Sequence, residues 1–191
     1  PKTKSARLIV AASEQDPDML YATKFWAPDP FIFLQRNGKR TLVLSDLEID
    51  RARKQADADE FVMFSELERE LQGKSKKGPP YEKVLAHFLK KRGVKSAAVP
   101  ANFPLAYAQE LAASKIRVRA IDGFFWPERE AKSDKEIEMM ARALRITEAG
   151  LKRAVEVLKA SKPGSRKRLR WNGKTLTSEL LRAEIDSAVL R

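Results

Sequence analysis

Hydrophobic residues keep one rhythm up to about residue 122 and another from residue 133 onward, and this change constrains the fold more than any other feature of the sequence. In the first stretch, short apolar runs rich in β-branched and aromatic residues alternate with helix-period segments. Ala6–Ala12 is such a run, and Phe31–Leu34 and Thr41–Leu44 are two more that flank Asn37-Gly38. A two-residue Asn-Gly loop is the favoured hairpin connection because both turn positions need positive φ, so a β-hairpin is predicted from Pro30 to Leu44. Glu60–Phe64, Ser96–Val99 and Ile116–Ile121 read as further strands, the last with Ile116, Val118 and Ala120 facing a core. Helices are predicted from Ser-x-x-Glu capping boxes at Ser45/Glu48 and Ser65/Glu68, over Tyr81–Arg92 with Gly93 as the stop, and over Pro104–Ser114. About six strands and four helices in residues 6–122 define an α/β layered domain with part of its sheet parallel.

After residue 133 the strands cease. A third box, Ser133/Glu136, opens a segment in which Ile137, Met140, Ala141, Leu144, Leu151, Val155 and Leu158 recur at helical spacing, predicting one long amphipathic helix ended by Pro163-Gly164. A second helix is predicted over Thr177–Arg191 through Leu180, Leu181, Ile185 and Val189. The sequence stops inside that pattern, without a capping residue, and so reads as a truncated polypeptide.

Composition narrows the function. The 191 residues carry a formal net charge of +12, which raises the question of a polyanionic partner. The charge is localised. Segment 73–80 holds Lys74, Lys76 and Lys77 without an acid, and segment 159–174 holds seven basic residues without an acid. Of the 38 lysines and arginines ten lie there, leaving 28 to face 26 acids, so the body of the fold is nearly neutral. Trp171 within 159–174 gives the pairing of aromatic and basic residues used for single-stranded nucleic acid; one aromatic in one connection makes this the alternative reading. Absence of cysteine removes disulfides, thiolate metal sites and cysteine nucleophiles, and no apolar run is long enough for a membrane span, which places the chain in the cytoplasm.

The candidate sites are few. His87 is the sole histidine and has neither a G-x-S-x-G elbow nor a second histidine to support it, so it reads as structural or solvated. Gly173-Lys174-Thr175 has the tail of a phosphate-binding loop, but Arg168 stands where that loop needs its first glycine. Asp46/Glu48/Asp50 and Asp134/Glu136/Glu138 fall at helix starts, where negative charge complements the helix dipole. Phe25 and Trp26, in the Pro-rich connection Lys24–Pro30, face either a ligand or the sheet edge.

Taken in order, these features resemble a known family. Tyr21-Ala22-Thr23-Lys24-Phe25, the hairpin Phe31–Leu44 and Ser45-Asp46-Leu47-Glu48 are similar to the "Tyr-Leu-Thr-Gly-Phe, hairpin, acidic helix start" of creatinase/Xaa-Pro aminopeptidase N-terminal domains. Arg129-Glu130-Ala131-Lys132-Ser133-Asp134-Lys135-Glu136-Ile137 resembles the junction that opens the long helix of the family's pita-bread catalytic domain. Arg142-Ala143, Ile146–Gly150 and Thr177-Ser178-Glu179-Leu180 extend the likeness, while Lys24 in place of Gly and the basic segment 159–174 depart from it. The resemblance implies a creatinase-type N-terminal α/β domain with a mixed sheet over residues 1–125, and the first helices of a catalytic domain over 126–191. It implies a peptidase cutting before proline in the complete protein, with two divalent metal ions on two Asp, one His and two Glu that follow the helix starting at Thr177, so no metal ligand or catalytic residue falls on this chain. It also implies a homodimer, with Phe25 and Trp26 in a loop that controls access to the partner's site.

Overall fold

The computed structural model describes residues 6–72, 78–165 and 168–190, and within it the chain divides into two compact units at Arg129/Glu130. Lys74, Lys76 and Lys77 of the basic segment 73–80, and Arg166 and Lys167 of 159–174, lie outside the described residues.

The first unit is built on six strands, β1 (Ala6–Ala11), β2 (Phe31–Arg36), β3 (Lys39–Leu44), β4 (Glu60–Met63), β5 (Ser96–Pro100) and β6 (Arg117–Ile121), in the order β4-β3-β2-β1-β5-β6. β1, β2 and β3 pair antiparallel, while β3/β4, β1/β5 and β5/β6 are parallel, so the sheet is mixed. The β2–β3 hairpin turns at Asn37 (φ +52°) and Gly38 (φ +83°), the positive pair that a two-residue loop requires.

Helices cover both faces, and this is why Phe31-Ile32-Phe33-Leu34 is a continuous apolar run instead of an alternating one. On one face α3 (Phe64–Leu71), α4 (Tyr81–Lys91) and α5 (Leu105–Ala113) pack over Leu8, Val10, Ile32, Leu34 and Val43. On the other, α1 (Pro17–Thr23), α2 (Ile49–Gln55) and the segment Phe125-Trp126 pack over Ile9, Phe31, Phe33, Leu42 and Leu44. Gly93 (φ +64°) ends α4 as expected: its amide and that of Val94 donate to the carbonyls of Lys90 (2.8 Å) and Leu89 (2.9 Å), closing the last turn.

Three local expectations fail. Ser45/Glu48 forms no box, because the Ser45 carbonyl accepts from Glu48 and Ile49 in a preceding turn while the Glu48 carboxylate turns to Arg51, at 2.9 Å from its Nε. Ser65 lies inside α3 and its hydroxyl donates to Asp46 (2.7 Å), so α3 starts without a side-chain cap. In β6 Ala120 is exposed, on a strand that is the sheet's edge.

In the second unit α6 (Asp134–Ala160) is the long helix, and here the box forms: the Ser133 amide donates to Glu136 Oε2 (3.0 Å) and the Glu136 amide to Ser133 Oγ (3.4 Å). The basic connection holds a small antiparallel sheet, β7 (Lys162–Pro163), β8 (Leu169–Trp171) and β9 (Lys174–Thr175), with its own Asn-Gly hairpin at Asn172 (φ +48°) and Gly173 (φ +77°). α7 (Ser178–Val189) starts at Thr177, whose hydroxyl accepts from the Leu180 amide (3.3 Å). α6 and α7 approach closely at Gly150, where an added Cβ would sit 2.9 Å from Val189 Cγ2, and Arg153 bonds Glu184 at 2.6 Å beside this contact. Most of the predicted α6 stripe, including Ile137, Met140, Leu144 and Leu151, is exposed; Gly150 and Val157 are the buried residues of that helix.

Two outcomes test this description. Gly150→Val should push α7 off α6 at a cost of about 1–3 kcal/mol, read as faster hydrogen exchange of the α7 amides; unchanged exchange would mean the helices do not meet there. Glu60, bonded to Arg92 (2.5 Å) and then to Lys39 (2.9 Å), has its pKa lowered from 4.5 to about 2. A depressed carboxylate stabilises above its unfolded pKa and loses that contribution as pH falls through the folded value. Stability of the protein should therefore decline between pH 4.5 and about 2 more steeply than that of Glu60→Gln, measured by urea unfolding across that range.

Candidate functional site

The Phe25–Trp26 segment follows α1, a helix that the alternating pattern does not reveal. Asp16 caps it, accepting from the Met19 amide (2.8 Å), and Pro17 occupies its first position, where no amide is needed. Lys24 ends it in the left-handed conformation (φ +51°, ψ +20°), with its amide bonded to the Leu20 carbonyl (2.8 Å). This conformation is the reason a glycine suits that position, and the Lys24 ammonium lies over the Tyr21 ring at 4.0 Å.

The next three residues are held from several sides. The buried Thr23 hydroxyl donates to the Met19 carbonyl (2.8 Å) and accepts from the Phe25 amide (3.3 Å). The Ala27 amide donates to the buried Ser13 hydroxyl (2.7 Å), the Ala27 carbonyl accepts from the Glu14 amide (3.2 Å), and Arg51 donates to the Trp26 carbonyl (2.9 Å). Phe25 is fully buried, edge-on to Phe31 at 6.0 Å and under the Arg51 guanidinium at 4.4 Å. Trp26 points the other way and is 52% exposed. Of the two sequence candidates, then, Phe25 is core and Trp26 alone presents a surface: a large aromatic on a fixed backbone, the kind of residue that anchors interfaces.

A second aromatic group escapes the sequence reading. Phe125 and Trp126 are buried on the same face of the sheet; Trp126 stands edge-on to Phe33 at 6.0 Å and its indole N–H donates to the Asp18 carbonyl (3.1 Å). Arg129 bonds Asp18 at 2.5 Å. Together they tie residues 125–129 to α1. The aromatic run Phe124-Phe125-Trp126-Pro127 is the signal that could have revealed them. Beside this group opens a cleft of about 670 Å³, whose lining includes Arg7, Tyr21, Lys24, Phe33, Arg119 and Trp126.

The remaining candidates are structural in their contacts. His87 Nε2 lies 2.7 Å from Glu70, whose other oxygen accepts from Lys91 (2.5 Å); the Lys91 bond first, and then His87, hold the Glu70 pKa below its usual value. Asp46 accepts from Ser65, Asp50 pairs with Arg53 (3.2 Å), and Gly173-Lys174-Thr175 belongs to the β8–β9 hairpin. Among the described residues no group of three or more His, Asp or Glu is placed to hold a metal ion, so they do not fit a two-metal centre. No helix among them is long and apolar enough to cross a membrane.

No protein-family model matches the chain, and no curated protein matches it. Solved structures do match its fold. The Xaa-Pro dipeptidase of Bacillus anthracis is similar with a TM-score of 0.68 at 14% identity, over 97% of this chain and 44% of its own. The X-Pro aminopeptidase of Thermotoga maritima MSB8 gives 0.67 at 17% identity, over 97% and 46%, and the prolidase of Pyrococcus horikoshii OT3 gives 0.63 at 18%, over 97% and 44%. The chain therefore has the α/β fold found in part of prolidase and Xaa-Pro aminopeptidase chains, and spans less than half their length.

Replacing each aromatic should separate the two roles. Phe25→Ala is expected to cost about 3–5 kcal/mol of unfolding free energy, whereas Trp26→Ala should stay within about 0.5 kcal/mol. Denaturant titration of both variants checks this, and equal losses would contradict the outward placement of Trp26.

Proposed function

We propose that this chain is the N-terminal, non-catalytic part of a metal-dependent Xaa-Pro peptidase, serving dimerisation and substrate access. The observation that supports the reading is the fold likeness over 97% of this chain to peptidases of which it covers less than half. In the complete protein the reaction is hydrolysis of the peptide bond before proline, in a cytoplasmic homodimer. Residues 1–125 form the access domain and 126–191 open the catalytic domain. Two divalent metal ions, held by ligands beyond these residues, would supply a polarised water; this chain's own residues bind and position, and no step of the hydrolysis is assigned to them. Trp26 is the group offered to a partner subunit, its backbone already fixed by Ser13, Thr23 and Arg51 and its ring free to be covered.

The β7–β9 sheet supports a second reading, a non-enzymatic module that binds a polyanion such as nucleic acid. Trp171 lies next to Arg170 on β8, and Arg153 approaches its ring at 5.7 Å.

The two readings separate in one set of measurements. The gene beyond Arg191 should encode the Asp, Asp, His, Glu, Glu series, and its full product should cleave Xaa-Pro peptides and sediment as a dimer that Trp26→Ala weakens. A downstream sequence without that series removes the peptidase reading. Oligonucleotide affinity that falls steeply with salt, alongside an absent ligand series, would favour the module instead.

A further inference from the structure

The cleft in the first unit has a floor that the sheet register defines. Arg7 stands opposite Gln35, Gln35 opposite Arg40, Arg7 beside Ala98, and Ala98 beside Arg119. These five residues form one row across β3, β2, β1, β5 and β6, all facing the side that carries α1, α2 and Trp126. Farther along the same strands that face is apolar, with Ile9, Phe33 and Leu42 packed under the helices. At the row three arginines and Gln35 take the place of the large apolar side chains.

Strands lie about 4.8 Å apart, so the α-carbons of Arg7 and Arg119 are separated by about 10 Å with Ala98 between them. Ala98 is the low point of the floor. Its methyl is buried, and Arg7 and Arg119 flank it on either side. The three cations are not equivalent. Arg40 is neutralised by Asp57, to which it is ion-paired. Arg7 stacks on aromatic rings, 4.4 Å from the centroid of Trp126 and 5.8 Å from that of Phe125, which fixes the group without using its hydrogen-bond donors. Among the described residues neither Arg7 nor Arg119 makes an ion pair. Lys24 and Glu128 stand at the rim, and Phe33, Ile121 and Trp126 give apolar surface. A concave site of about 670 Å³ has the size of a small-molecule site, and its lining is mixed, with charged and amide side chains beside the apolar ones.

We propose that this cleft binds a small organic oxyanion, a carboxylate or a phosphate monoester, with its anionic group over Ala98 between Arg7 and Arg119 and its flat apolar part against Trp126. Bidentate guanidinium contacts suit both anion types. Gln35 adds a neutral donor next to Arg7. This proposal stands on the first unit alone and does not depend on the peptidase reading.

The test is calorimetric titration of the intact chain with phenyl phosphate, benzoate and, as the neutral control, benzyl alcohol. Saturable one-to-one binding of either anion, weakening with added salt and absent for the alcohol, is expected; the tighter anion identifies the source as phosphate or carboxylate. Arg119 is exposed on an edge strand, so Arg119→Gln should leave the fold intact and weaken binding about tenfold. Arg7→Gln should weaken it at least as much, and thermal unfolding of that variant shows whether the stack on Trp126 also holds the fold. No saturable binding up to about 10 mM of either anion overturns the proposal. So does an affinity that Arg119→Gln leaves unchanged, which would place the anion on other basic residues.

Discussion

The Asn37-Gly38 turn sets the register on which the first unit depends. Both residues take positive φ, so β2 and β3 are joined without spare residues and Gln35 must face Arg40. A slip of one residue between them would carry either Phe33 or Leu42, and with it Gln35 or Arg40, to the opposite face. Because β1 pairs with β2 from Arg7 to Ala11, the same register places Ile9 under α1 and Arg7 on the cleft floor. Core and cleft floor thus follow from one two-residue turn.

Much of this was legible in the residues. Apolar runs at Phe31–Leu34 and Thr41–Leu44 around Asn37-Gly38 marked the hairpin strands, and Gly93 marked the end of α4 through the conformation it adopts. What failed has physical reasons. A Ser-x-x-Glu spacing is necessary for a capping box but does not compel one: at Ser45 the carboxylate found Arg51, and at Ser65 the hydroxyl found Asp46 nineteen residues away. α1 was missed although Asp16-Pro17 carries its start signal, since seven residues offer too little periodicity. The second Asn-Gly pair, at 172–173, obeys the same rule as the first and turns what reads as a bare basic connection into a small sheet.

The candidate site was half legible. Phe25 and Trp26 are adjacent, and adjacency alone cannot say which faces out; the decision falls to the neighbouring Thr23 and to Ser13 and Arg51, whose contacts come from elsewhere in the chain. The arginine row was not legible, because Arg7, Arg40 and Arg119 become neighbours only through strand order. The net charge of +12 pointed elsewhere, to connections in which five basic residues lie outside the described structure. The second unit rests on a different device, the bare backbone of Gly150 beneath Val189 and Ile185, which lets α7 lie close on α6.

The central claim is the register, and cross-strand nuclear Overhauser effects in the isotopically labelled chain test it most directly. The account predicts backbone contacts linking Arg7 to Gln35, Gln35 to Arg40 and Ala98 to Arg119. A contact set displaced by one residue, with Leu8 opposite Gln35 or Thr41 opposite Gln35, would contradict it.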